Sequence, residues 1–254
     1  MAASNDDYKP TGHYETLGDR EAFPIVPCSD SALRGPSTIE DVTGSESSSK
    51  AIIVIFDAFG FRQPTLRGAD LLASSLPGLV VMPDLFNGDP ADPDWFPTDT
   101  EEKARALEKF KPKAYNATLV PTMIQSAANA KLKWPSVQAW GCFGLGWGGK
   151  LVAQASGMGT PFKVSGQAYP SQPTKEDAEK MVIPHICLAS SGEAEKVKPY
   201  AEVFSGEGRV GEVETYSSMS HGWMGTKSDL SKEENVMEFE RGYKQAARFF
   251  AAHL

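Results

Sequence analysis

The chain has 254 residues, of which 41% are hydrophobic and 23% charged, with a net charge of −8 and a pI near 5.1. That length suits one large α/β domain spanning residues 1–254 better than two small ones, and no stretch reaches the roughly 18 uninterrupted apolar residues that a membrane span needs. The acidic balance offers no basic surface for phosphates, which excludes nucleic acid and anionic membranes and leaves a small molecule as the expected partner.

In chain order, Met1 to Asp19 is polar and acidic, without a basic segment leading into an apolar one, so no secretory signal is visible and a cytoplasmic location is expected. Ala51 to Phe56 is a continuous apolar run ending in Asp57, the pattern of a strand buried on both faces of a parallel sheet. A helix is expected from Thr65 to Leu76, stopped by Pro77-Gly78, and a second buried strand from Leu79 to Met82. The loop Asn87 to Pro97 is too rich in Pro, Asp and Gly for regular structure and is expected to border a pocket. Helices at Thr100 to Phe110 and Ala114 to Ala130 lead to a strand at Val137 to Cys142, then to Gly144-Leu145-Gly146-Trp147-Gly148-Gly149-Lys150 and another helix. Further strands are expected at Phe162 to Ala168, Ile183 to Ala189 and Val210 to Tyr216, with helices at Lys175 to Met181 and Ala194 to Phe204 between them. The last helix, Lys232 to Ala252, aligns Phe239, Tyr243, Ala246 and Phe250 on one face, fit to pack across the sheet. Strands alternating with helices predict a mostly parallel sheet flanked by helices.

Strand, glycine turn and helix in that order set up a nucleophile elbow, in which flanking glycines let the strand meet the helix closely while the central residue takes a strained conformation. The central slot here holds Gly146, which has no side chain to attack with. The run lacks the order of a P-loop and the spacing of a dinucleotide site, so it is not read as a phosphate cradle. Cys28, Cys142 and Cys187 are too few and scattered for a disulfide framework, and four histidines without a paired spacing make no metal site. His185 lies in an apolar strand and reads as a core residue, whereas Asp57 and Asp84 end strands where ligands bind in open α/β sheets. Of these two, Asp57 is the site candidate and Asp84 a turn residue.

Over nearly its whole length the chain resembles the fungal branch of the dienelactone hydrolase family, which has the α/β-hydrolase fold. The landmarks, in order, are Cys28, Phe56-Asp57-Ala58-Phe59-Gly60, Gly68 to Ala73, Met82 to Phe86, Trp147-Gly148-Gly149-Lys150 and Ser220-His221-Gly222-Trp223. The resemblance implies a cofactor-free hydrolase with a Cys-His-Asp triad acting on lactones or enol esters. It places the catalytic histidine at His221, the acid at Glu195 with Glu193 as second choice, the oxyanion hole at the amides of Ala58 and Trp147, and an acidic residue beside the nucleophile at Asp57. Two positions depart from the family pattern: Gly146 at the nucleophile, and Tyr169-Pro170 where relatives commonly carry His-Pro. Phe59, Tyr169 and Trp223 are the expected substrate-binding wall.

The leading expectation is a non-covalent cyclisation, isomerisation or elimination on a small unsaturated molecule such as a natural-product intermediate, with His221 as general acid or base. Hydrolysis through water activated by His221, or through Cys142 as a displaced nucleophile, is the alternative, and a ligand-binding pseudoenzyme is the third. A cysteine placed at residue 146 is expected to restore acyl transfer.

Overall fold

The apolar run ahead of Asp57 forms the middle of an eight-stranded sheet, because a strand with nothing polar on either face can only sit between covered neighbours. The computed structural model describes residues 8–17 and 38–254, so the landmark Cys28 lies outside the described residues. The strands are β1 (His13–Leu17), β2 (Thr38–Gly44), β3 (Lys50–Ile55), β4 (Leu79–Pro83), β5 (Ala139–Leu145), β6 (Val164–Ala168), β7 (His185–Ser190) and β8 (Gly211–Tyr216). The helices are α1 (Gln63–Ser75), α2 (Glu101–Phe110), α3 (Asn116–Lys133), α4 (Trp147–Ala155), α5 (Lys175–Lys180), α6 (Lys198–Phe204) and α7 (Glu233–His253).

The sheet runs β1-β2-β4-β3-β5-β6-β7-β8. The pairings from β4 to β8 are all parallel, and only the β1–β2 and β2–β4 pairs are antiparallel. This is the mixed sheet of the α/β-hydrolase fold. α1 packs on α7, while α3, α4, α5 and α6 pack successively on one another, so the helices form two groups beside the sheet.

Where sequence and structure differ, local chemistry explains the difference. The segment that forms β2, Thr-Ile-Glu-Asp-Val-Thr-Gly, has too few apolar residues to read as a strand, yet it pairs on both sides. The helix expected from Ala194 begins only at Lys198, with Pro199 in its first turn, where a missing N–H costs nothing. The residues before it, Ser191–Glu193, form a 3-10 turn instead.

α7 crosses the sheet through one aromatic side chain lodged over two glycines. A Cβ at Gly141 of β5 or Gly166 of β6 would come within 2.6 and 3.1 Å of the Phe250 ring, so these positions are shaped by the ring above them. Burying such a ring contributes about 1.5–3 kcal/mol.

Candidate active site

The site begins at the turn between β5 and α4. Gly148 lets α4 lie against the end of β3, since a Cβ there would be 2.5 Å from the carbonyl oxygens of Ile55 and Phe56. At the apex, Gly146 has φ 51° and ψ −110°, a left-handed backbone that L side chains adopt only under strain. Its N–H donates to Ala168 O at 3.0 Å and its carbonyl accepts from Ser171 N–H at 3.1 Å, tying the turn to the end of β6. Trp147 is the first residue of α4, so its amide belongs to the helix donors that have no intrahelical acceptor. Ala58 follows Asp57 beyond β3, and its carbonyl accepts from Ala91 N–H at 2.9 Å, anchoring the loop that carries Phe96.

His221 stands on the loop after β8, and that loop is pinned on both sides of it. Upstream, Ser191 donates to the Met219 carbonyl through its N–H at 3.0 Å and its hydroxyl at 2.9 Å. Downstream, Thr226 donates to Asp57 through its hydroxyl at 2.9 Å and its N–H at 3.1 Å, and the Tyr243 hydroxyl donates to Met224 O at 2.6 Å. Between these anchors the imidazole is half exposed, and its Nδ1 lies 2.8 Å from Glu193 Oε1. The other oxygen of Glu193 accepts from Ser190 N–H at 2.9 Å and the Ser190 hydroxyl at 2.5 Å. Burial alone would raise the pKa of Glu193, but the hydrogen bonds from His221 and Ser190 outweigh it and hold the carboxyl below its usual range.

The histidine's partner is therefore Glu193 and not Glu195. Glu195 is exposed and pairs with Lys198 at 2.6 Å. The sequence carries a signal for Glu193 in Ser190-x-x-Glu193, the spacing of a capping box, which forms here and folds the carboxylate back over the end of β7.

Asp57 is 4% exposed and accepts four hydrogen bonds, from Phe59 N–H, Thr226 N–H, the Thr226 hydroxyl and the Tyr169 hydroxyl, the last at 3.2 Å. Burial raises its pKa despite those donors. It serves as the anchor between β3, the histidine loop and Tyr169. Tyr169 is 1% exposed, so it does not line an open wall as the sequence suggested. Its ring lies over the elbow, where a Cβ at residue 146 would be 2.8 Å from Cε2, and meets the His221 imidazole edge to face with centroids 5.2 Å apart.

Trp223 is likewise a core residue and no wall. It is 3% exposed, stacked on Tyr216 at 4.3 Å and packed over Gly242 of α7. Phe59, 8% exposed, is also buried in the core, where it meets Phe96 edge to face at 5.6 Å. The ammonium of exposed Lys227 rests 5.6 and 5.1 Å from the centroids of these two rings. Phe96 and Lys227 were not singled out in the sequence, since nothing there brings residues 96 and 227 together. The Trp147 indole is fixed by its N–H donating to Ala114 O at 3.1 Å and by the Phe86 ring at 4.8 Å.

The other candidates are structural. Cys142 is fully buried in β5, and burial pushes its thiol well above the usual range, leaving no thiolate to attack with. His185 is buried, 2.8 Å from the Ser165 hydroxyl and stacked on Phe204, and burial lowers its pKa to about 3. Asp84 accepts from Phe86 and Gly88 N–H, as a turn residue does. Among the described residues no group of three or more His, Cys, Asp or Glu is placed to hold a metal ion, and no helix is long and apolar enough to cross a membrane.

The family model described as dienelactone hydrolase family matches residues 41–254. An uncharacterised AIM2 family protein of Schizosaccharomyces pombe is 30% identical over 218 residues, covering 82% of this chain and 85% of its own. A second protein of that description from the same yeast is 28% identical over 211 residues, with the same coverage of 82% and 85%. Among solved structures, a dienelactone hydrolase of Anabaena variabilis superposes with a TM-score of 0.65 at 11% identity, covering 97% of this chain and all of that one.

Proposed function

The chain belongs to the dienelactone hydrolase family, and on that premise we propose that it is an enzyme of non-covalent acid–base chemistry, rearranging or eliminating on a small unsaturated carbonyl compound. The observation that carries this reading is a supported histidine–carboxylate pair, 2.8 Å apart, joined through the Tyr169 ring to an elbow whose apex has no side chain. With Glu193 accepting at Nδ1, the imidazole keeps Nε2 free as the base, and the carboxylate stabilises the cation that forms. A substrate carbonyl set against the amides of Trp147 and Ala58 would be polarised, which acidifies the adjacent C–H. His221 then removes a proton from carbon and returns it at another position, and no bond to the protein forms. The partly buried rings of Phe96 and Trp147, packed against the core, would suit a largely hydrophobic ligand.

A ligand-binding pseudoenzyme would have no use for a buried carboxylate with three hydrogen bonds aimed at one imidazole. Hydrolysis through water activated by His221 would use the same pair, and the half-exposed imidazole can reach water. The test is deuterium wash-in from D2O into an enolisable α,β-unsaturated lactone. Exchange is expected to fall at least about 100-fold in His221→Asn, in keeping with the worth of a general base. Exchange unchanged in that variant, or ester cleavage without exchange, would contradict the proposal.

A further inference from the structure

We propose that Tyr169 is a positioning residue of this site: its ring occupies the space a nucleophile at residue 146 would need and packs against the His221 imidazole that Glu193 holds at Nδ1. The inference rests on the reading that His221 works without a nucleophile in the elbow. Two glycine positions make room for the ring. A Cβ at Gly146 would lie 2.8 Å from Cε2 and 3.3 Å from Cδ2 of Tyr169, and a Cβ at Gly225 would overlap the phenol hydroxyl. Both neighbours are glycine, so the ring fits only because two side chains on facing loops are absent.

The backbone is also committed to this placement. Tyr169 has φ 37°, a left-handed conformation that costs a bulky residue on the order of 1–3 kcal/mol and persists only where the surroundings impose it. Its N–H donates to Leu188 O at 2.7 Å, fixing it between the ends of β6 and β7. Burial, followed by the charge of Asp57 beside it, keeps the phenol protonated, so the hydroxyl donates to Asp57. The ring is thus held at its far end by the same carboxylate that anchors Thr226 and the histidine loop. Glu193 fixes one edge of the imidazole and Tyr169 packs against the ring itself, with planes at 83°. Two contacts from different elements thus restrain the half-exposed imidazole.

This alters what a cysteine at residue 146 can do, because the thiol would have to displace Tyr169 before it could reach His221. The experiment compares Gly146→Cys with the double variant Gly146→Cys/Tyr169→Ala, measuring alkylation by iodoacetamide at residue 146 by peptide mass spectrometry. The double variant is expected to be labelled at least ten times faster than the single one. A single variant that fails to fold where the double folds would report the same clash, whereas equal labelling of two folded variants would overturn the proposal. A second readout is the imidazole cross-peak of His221 in 13C-histidine-labelled protein. Tyr169→Ala should move it and Tyr169→Phe, which keeps the ring, should restore it. A cross-peak unmoved by Tyr169→Ala, or moved as far by Tyr169→Phe, would overturn the positioning role. Neither readout involves turnover, so failure of the proposed reaction and failure of this placement give different results.

Discussion

At the scale of the residue, the site turns on Glu193, whose two oxygens are divided between His221 and Ser190. Glu193→Gln should lower any His221-dependent rate by about 10²–10⁴, as the loss of a triad acid does, while Glu195→Gln, which breaks only an exposed pair with Lys198, should change the rate less than twofold, in keeping with the small worth of surface pairs. The pH dependence has a definite sign. Because the folded pKa of Glu193 is lowered, its contribution to stability is complete above the ordinary carboxylate value of about 4.3 and is lost as pH falls through the lower folded value. Urea midpoints of wild type should therefore drop between pH 5 and 3 more than those of Glu193→Gln, at roughly those values; parallel curves would show that the carboxylate is not held by these bonds. The elbow and Asp57 were legible in the sequence because each sits at the end of a strongly patterned strand, whereas His221, on the loop after the polar β8, was legible only through the resemblance carried by Ser220-His221-Gly222-Trp223. The acid was legible only by half: the resemblance points to Glu195, while the capping box Ser190-x-x-Glu193 that folds the carboxylate back is a short-range signal at the end of β7. Tyr169 could be found as a departure from the family pattern, but its burial over Gly146 depends on Gly225, which lies far along the chain.

At the scale of the element, the strands buried on both faces were legible from their pattern, as was the partly exposed β8, expected at Val210 to Tyr216, whereas β1 and β2 were not. β3 to β7 are almost wholly buried, and all but β6, which carries Ser165 and Gln167, are mainly apolar. β1 and β2 form the antiparallel margin beside β4, and their polar residues give no alternation to detect. The crossing of α7 over the sheet is tested at Gly166, where a side chain would meet Ile186 at 2.6 Å, Phe143 at 2.9 Å and Phe250 at 3.1 Å. Gly166→Val should destabilise by about 1–3 kcal/mol through overpacking, a fall in Tm of roughly 2–4 °C per kcal/mol at this size. Adding Phe250→Leu should recover part of that loss. Additive losses in the double variant would mean that Phe250 and Gly166 are not in contact.

At the scale of the whole molecule, the chain keeps the architecture of the dienelactone hydrolase family, with the sheet, the elbow and the histidine loop in place. Within it, the apex of the elbow carries no side chain and a buried tyrosine lies over that apex. Glu193 is hydrogen-bonded to His221 and twice to Ser190, and on this pair the proposed proton transfer rests. This combination is the basis for reading the protein as a hydrolase scaffold used for proton transfer without an acyl intermediate. Native protein incubated with an excess of an activated acetyl ester, quenched in acid and examined by intact-mass and peptide mass spectrometry, tests that claim directly. The account predicts no His221-dependent acyl adduct at any burst stage, whereas an adduct on Cys142 or another side chain that forms in wild type and vanishes in His221→Asn would contradict it.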